Sequence, residues 1–234
     1  MKHVSYKLIV SFVFAMLSLG QITSAQSFLS PAEFHQSLAL YSPKLGDDSL
    51  PHIAQKKLLP DNISFMERTL WGEKGIFRSI GIASPLTPES RKSELAVRRT
   101  MLTAHQIGGY ITLALMGATV YYGQKTLNGS SDPAEYRRLR NNHENFVTAT
   151  IIAYGATAML SVLAPPPLIR RDESSTTTIH KTLAWVHFAG MILTPIIGSM
   201  IEHSSNYDNA ARFHQYSAYI TTAVFATSMI VMTF

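Results

Sequence analysis

From position 101 onward the chain changes texture. Four runs rich in Leu, Ile, Val, Ala, Met, Gly and aromatic residues (Met101–Gly123, Phe146–Ala164, Leu183–Ile201 and Tyr216–Phe234) alternate with short polar stretches. Each run has roughly the length that crosses hydrocarbon about 30 Å thick at about 1.5 Å per helical residue. The interruptions read as stops: NGSSDP after the first, APPP and RRDESS after the second, EHSSNYDN after the third. Helices joined by such short connections pack as antiparallel neighbours. The pattern therefore predicts an all-α fold, an integral membrane up-down four-helix bundle over residues 98–234. Gly108, Gly109, Gly117, Gly155, Gly190 and Gly198 allow close approach of helices or of a flat ligand, and Pro195 predicts a kink in the third helix.

Upstream, the pattern differs. Residues 1–25, MKHVSYKLIVSFVFAMLSLGQITSA, combine basic Lys2 and Lys7, an apolar core from Leu8 to Leu19, and small residues Thr23 and Ala25. This is the form of a signal peptide; the alternative is an uncleaved anchor. Either form puts the next segment, 26–97, on the extracytoplasmic, periplasmic side of the cell (inner) membrane. That segment has prolines at 31, 43, 51, 60, 85 and 88 and only short apolar groups. Within it, PDNISFMERTLWGEKGIFRSIGI places Ile63, Met66 and Leu70 on one helical face, followed by Trp71, Phe77 and Ile80. Such a mixture predicts an interfacial amphipathic helix or a cap on the bundle. Loop charges give a weaker signal. Arg91, Lys92, Arg98, Arg99, Arg170, Arg171 and Lys181 face Lys125, Arg137, Arg138, Arg140 and Arg212, which leans slightly against the orientation that the leader implies. The leader decides the orientation here.

Composition narrows the chemistry. The 234 residues are 46% hydrophobic and 15% charged, below the roughly 25% charge usual for soluble domains. No cysteine is present, which excludes disulfides, thiolate metal sites and c-type haem attachment. Histidine, methionine and carboxylates remain as metal ligands. The net charge of +5 is spread over several loops, with no basic tract interleaved with aromatics, so nucleic acid is not an expected partner. The expected partner is the lipid bilayer.

The histidines carry the candidate chemistry. His105 lies near the start of the first long helix, His143 of the second, His180 of the third and His214 of the fourth. Alternating helices place His105 with His180 near one membrane face and His143 with His214 near the other. Two imidazoles facing each other across a bundle suit the axial positions of a six-coordinate haem iron, each ring donating its second N–H to a carbonyl or water. Gly109, Ala184 and Ala218, four residues after their histidines, leave room for a porphyrin edge, whereas the second helix has Val147 there. The bland alternative is an interfacial histidine satisfied by water or headgroups. Four of them, one per helix at matching depth, favour function. His187, seven residues after His180 on nearly the same face, is a competing ligand or a propionate partner.

With this order of histidines the chain resembles the cytochrome b561 family, in its bacterial type. The segments HQIGGYITLALMGATVYYG, HENFVTATIIAYGATAMLSV, HKTLAWVHFAGMILTPIIG and HQYSAYITTAVFATSMIVM follow that family's rhythm over about residues 100–234. The resemblance implies two haem b groups with ligands paired first-to-third and second-to-fourth, favouring His180 over His187. It implies transmembrane electron transfer, with a quinol, an ascorbate-like reductant, a ferric species or a redox protein as donor or acceptor. Arg137, Arg138 and Arg140 are candidates for attracting an anionic donor or the haem propionates, against a plain topological role. Two other readings stand beside this one: a single-haem anchor subunit of a larger redox complex, and a non-haem membrane transport or assembly protein. The absence of helix carboxylates argues against a proton pump or a di-iron site. The sequence leaves room for a homo-oligomer.

Overall fold

Helix starts are written locally into the chain. Ser64 with Glu67, and Thr87 with Ser90, form reciprocal capping boxes, and the Asp132 side chain accepts from the Ala134 N–H. Pro88 and Pro133 occupy the first helical turn, where a missing N–H costs nothing. In the computed structural model, which describes residues 58–169 and 175–233, all regular structure among the described residues is helical. Residues 1–57, with the expected signal peptide and the histidines at 3, 35 and 52, lie outside the described residues, as do Arg170, Arg171 and Phe234.

The elements are α1 (Phe65–Trp71), α2 (Ile76–Ser79), α3 (Pro88–Asn128), α4 (Pro133–Val162), α5 (Thr176–Met200), a 3-10 turn (Ile201–His203) and α6 (Tyr207–Thr233). Helix α3 runs through the boundary expected at 97–98. Its 41 residues extend about 60 Å, some twice the thickness of bilayer hydrocarbon. The charged stem of α3 before position 100 therefore stands clear at one end. The charged start of α4 stands clear at the other. Pro195 does not interrupt α5, which is helical on both sides of it.

Helices α3 and α4 form one antiparallel hairpin and α5 and α6 a second; α3 packs along α6, while the α4–α5 seam is much more open. Three helical stretches, Pro133–Val162, Thr176–His203 and Tyr207–Thr233, are long and apolar enough to cross a membrane. The expected first span, Met101–Gly123, is helical throughout but less apolar. Protein contact accounts for the difference, because α3 is covered by α4 on one side and α6 on another. The same trend holds among the other three, where α5 is the most apolar and the least covered. Large apolar side chains such as Ile152, Trp185, Ile196 and Ile220 remain on the outside, a surface suited to lipid.

At mid-depth Leu113 and Met116 of α3 pack on Phe225 and Ala226 of α6, with Tyr154, Met191 and Met229 against them. At the α3 stem, α1 and α2 form a cap. Trp71 is buried and its indole N–H donates to the Leu163 carbonyl at 2.9 Å. Arg91, only 2% exposed, pairs with Glu94, which also meets Arg78 at 2.7 Å. Arg91 further donates to the carbonyls of Leu58 and Pro166, and Arg98 to that of Pro165. Proline carbonyls beyond the α4 C-terminus have no helical partners, so guanidinium groups satisfy them. The cap thus ties the α3 stem to the connection between α4 and α5.

Candidate functional site

The structure brings the four leading histidines together in two pairs. Ring centres of His105 on α3 and His180 on α5 lie 6.2 Å apart with planes at 89°. Those of His143 on α4 and His214 on α6 lie 6.2 Å apart at 88°. Each pair spans the two hairpins on a diagonal, one at the cap side and one at the far side.

All four rings are held in the same way. Nδ1 of His105 lies 2.8 Å from the Thr157 carbonyl, and Nδ1 of His143 lies 3.0 Å from that of Thr119. Nδ1 of His180 lies 3.0 Å from the Ser228 carbonyl, and Nδ1 of His214 lies 3.0 Å from that of Thr194. A carbonyl only accepts, so Nδ1 carries the proton, and a neutral ring then keeps its lone pair on Nε2. Every acceptor sits fourteen residues after the histidine of its own helix. This sets the two levels about 21 Å apart along the helices.

Glycine makes space for the far-side rings. A Cβ on Gly123 would stand 2.9 Å from the His143 ring, and one on Gly198 would stand 2.8 Å from the His214 ring. Around this pair lies a cavity of about 620 Å³ lined in part by Thr119, Gly123, Thr194 and Gly198. That volume is within the usual range for cofactor sites. Arg140, Glu144, Glu202, Tyr136 and Tyr207 line its polar part, where Arg140 pairs with Glu144 at 2.9 Å and Glu202 at 2.5 Å. Of the other arginines singled out, Arg138 makes an exposed 3.8 Å pair with Glu135.

His187 takes a different position from His180. It is buried, its Nδ1 lies 3.0 Å from the Tyr154 hydroxyl, and its ring packs on Phe225 at 5.0 Å. His180 is the residue opposite His105. His203 is exposed in the 3-10 turn.

One signal in the sequence was missed, and it bears on the site. Helices α3 and α5 share a histidine followed at fixed offsets by methionine, threonine and glycine: His105, Met116, Thr119, Gly123 and His180, Met191, Thr194, Gly198. Helices α4 and α6 share His143, Thr150, Thr157 and His214, Thr221, Ser228. The hairpins are an internal repeat, and the shared residues are the rings, their carbonyl anchors and the glycines beside them. Reading at an interval of about seventy residues exposes it without a structure.

In its neutral form each pair presents two imidazole lone pairs, both on Nε2. Among the described residues no three His, Asp or Glu side chains gather to share an ion, so the remaining coordination must come with the ligand. A ring nitrogen stands about 1.1 Å from its ring centre and a metal–imidazole bond is about 2 Å, so two rings gripping one metal from opposite sides have centres a little over ~6 Å apart. Comparison with protein-family models, curated proteins and solved structures finds no match to this chain.

Proposed function

We propose that the chain is a multi-pass protein of the cell (inner) membrane whose four long helices hold two b-type haems and pass electrons between the membrane faces, in the manner of the cytochrome b561 family. The observation that carries the reading is the doubled arrangement of crossed histidines, each with Nδ1 anchored on a backbone carbonyl and Nε2 free. Bound between such pairs, haem supplies reversible one-electron exchange. The protein's own residues supply the rest.

His105 and His180 would hold the cap-side group, and His143 and His214 the far-side one. Anchoring by Thr157, Ser228, Thr119 and Thr194 fixes the tautomer and raises the basicity of the ligating nitrogen. Gly123 and Gly198 leave the far-side rings free to stand at that angle. The Leu113–Met116–Phe225–Ala226 core keeps water out between the levels. Arg140, at the mouth of the far-side cavity, offers its charge to propionates, and the 26–97 segment, with its cap, lies on the periplasmic side. The electron donor and acceptor belong to the classes named from the sequence.

The test is optical. The protein is produced in bacterial membranes with haem supply, purified in mild detergent, and examined by reduced-minus-oxidised spectroscopy with a pyridine haemochrome assay. Two b-type haems per chain are expected. One per chain favours a single-haem anchor subunit, and none in a folded preparation overturns the reading.

A further inference from the structure

The internal repeat fails at mid-depth, and the failures touch each other. Seven residues after its histidine, α3 has Thr112 where α5 has His187; eleven residues after its histidine, α4 has Tyr154 where α6 has Phe225. The two odd residues, Tyr154 and His187, are hydrogen-bonded at 3.0 Å across the open α4–α5 seam. On the related seam, Thr112 bonds back to the Gly108 carbonyl of its own helix, and Phe225 sits in the apolar core. A polar contact half-buried in an apolar helix bundle is costly, and the repeat holds next door a solution, Thr112 with Phe225, that needs no hydrogen bond between helices. The pair is also unequally placed. Tyr154 lies three residues before Thr157, whose carbonyl anchors His105, and eleven residues after His143.

We propose that the Tyr154–His187 pair is a positioning device that makes the two haem sites unequal, by stabilising the oxidised state of the haem held by His105 and His180. The inference rests on the haem reading above. An oxidised haem carries one more positive charge than a reduced one. Fixed polar groups in a dry interior favour the more charged state, and apolar packing favours the less charged one. Without the pair, the two levels would differ only in their surroundings at the two ends. With it, the cap-side potential is lowered relative to the far-side one, which sets a preferred direction for the electron.

The experiment is redox potentiometry on the detergent-purified protein, comparing wild type with Tyr154→Phe and His187→Leu. The removal of one haem by His143→Ala assigns the midpoints. Haem per chain is measured in every sample. Tyr154→Phe deletes a single oxygen and copies the Phe225 environment, so it keeps the test open where His187→Leu fails to fold. The expected result is a full complement of haem with the cap-side midpoint raised in both variants and the far-side midpoint unmoved. His187→Asn, which restores a polar partner for Tyr154, should bring the midpoint back toward wild type. Two haems with both midpoints unchanged, or both moved equally, overturn this inference and leave the haem reading standing. A wild-type protein without haem removes both.

Discussion

The two hairpins solve one packing problem twice, and they agree at the ends more than in the middle. In α3–α4 and in α5–α6 the histidine, its carbonyl anchor on the partner helix, and the glycine beside the far-side ring occupy the same offsets. Between the levels the hairpins share Met116 with Met191 and Thr150 with Thr221, and diverge at Thr112 against His187 and Tyr154 against Phe225. A ring that must present Nε2 at a set angle constrains its anchor and its neighbour, whereas mid-depth side chains need only fill space. Where divergence introduces a polar contact between helices, filling space is no longer a sufficient account.

On the haem reading proposed above, the largest effect that breaks this comparison is loss of a histidine. His105→Ala and His180→Ala should each lower haem from two per chain to one, and the double variant should lose no more than either single one. His143→Ala and His214→Ala should do the same at the other level. Pyridine haemochrome stoichiometry checks this, and a loss of both haems from one substitution would show that the levels are not independent.

The cap is the part that the repeat does not duplicate. Glu94 lies between Arg91 and Arg78 with almost no exposure. Its removal by Glu94→Ala leaves buried guanidinium groups uncompensated, at a cost of about 3–5 kcal/mol. The expected outcome is release of the cap, seen as faster proteolysis between Gly72 and Thr87, with the haem at His143 and His214 unchanged. A cap that stays protease-resistant would mean that the Trp71 and proline contacts suffice alone.

Glycine substitution sharpens the likeness of the hairpins. Gly123→Ala and Gly198→Ala each drive a methyl against a histidine ring, which on the haem reading is a ligand. Overpacking of this kind costs about 1–3 kcal/mol. Both variants should weaken the far-side haem and spare the cap-side one. Gly155→Ala meets nothing within 4 Å and should be tolerated, with a helix-propensity gain of up to about 1 kcal/mol. Haem retention on dilution separates the three.

How much of this was legible beforehand varies by region. Thr87-Pro88 and Asp132-Pro133 are local helix starts, yet the apolar runs begin only at 101 and 146, because hydropathy marks the apolar stretch and not the charged turns before it. The four histidines were readable from spacing. His180 and His187 were not separable by helical phase, since seven residues return to nearly the same face; what distinguishes them is the partner opposite, His105 for one and Tyr154 for the other. The cap lock was invisible for a related reason. Arg91 counts only among the loop charges, and Pro166, whose carbonyl it reaches, lies 75 residues further along the chain. The run Met101–Gly123 reads with the other three, although it is the least apolar, and its cover by α4 and α6 is not visible in the sequence.

The smallest expected effect concerns the hydroxyls around the carbonyl anchors, where the hairpins differ in detail. In the first hairpin the Thr119 and Thr150 hydroxyls meet at 3.0 Å. In the second, Thr194 meets Ser217 at 2.7 Å and Thr221 only at 3.4 Å. Ser217 has no counterpart in the first hairpin, where Phe146 stands at that offset. Thr150→Val therefore removes the side-chain partner of Thr119, while Thr221→Val leaves Thr194 with Ser217. A hydrogen bond of this type is worth about 1 kcal/mol. Thr150→Val should lower the thermal midpoint more than Thr221→Val, although the two positions are equivalent in the repeat. Equal shifts would mean that the hydroxyls fill space and that the backbone carbonyls alone hold the rings.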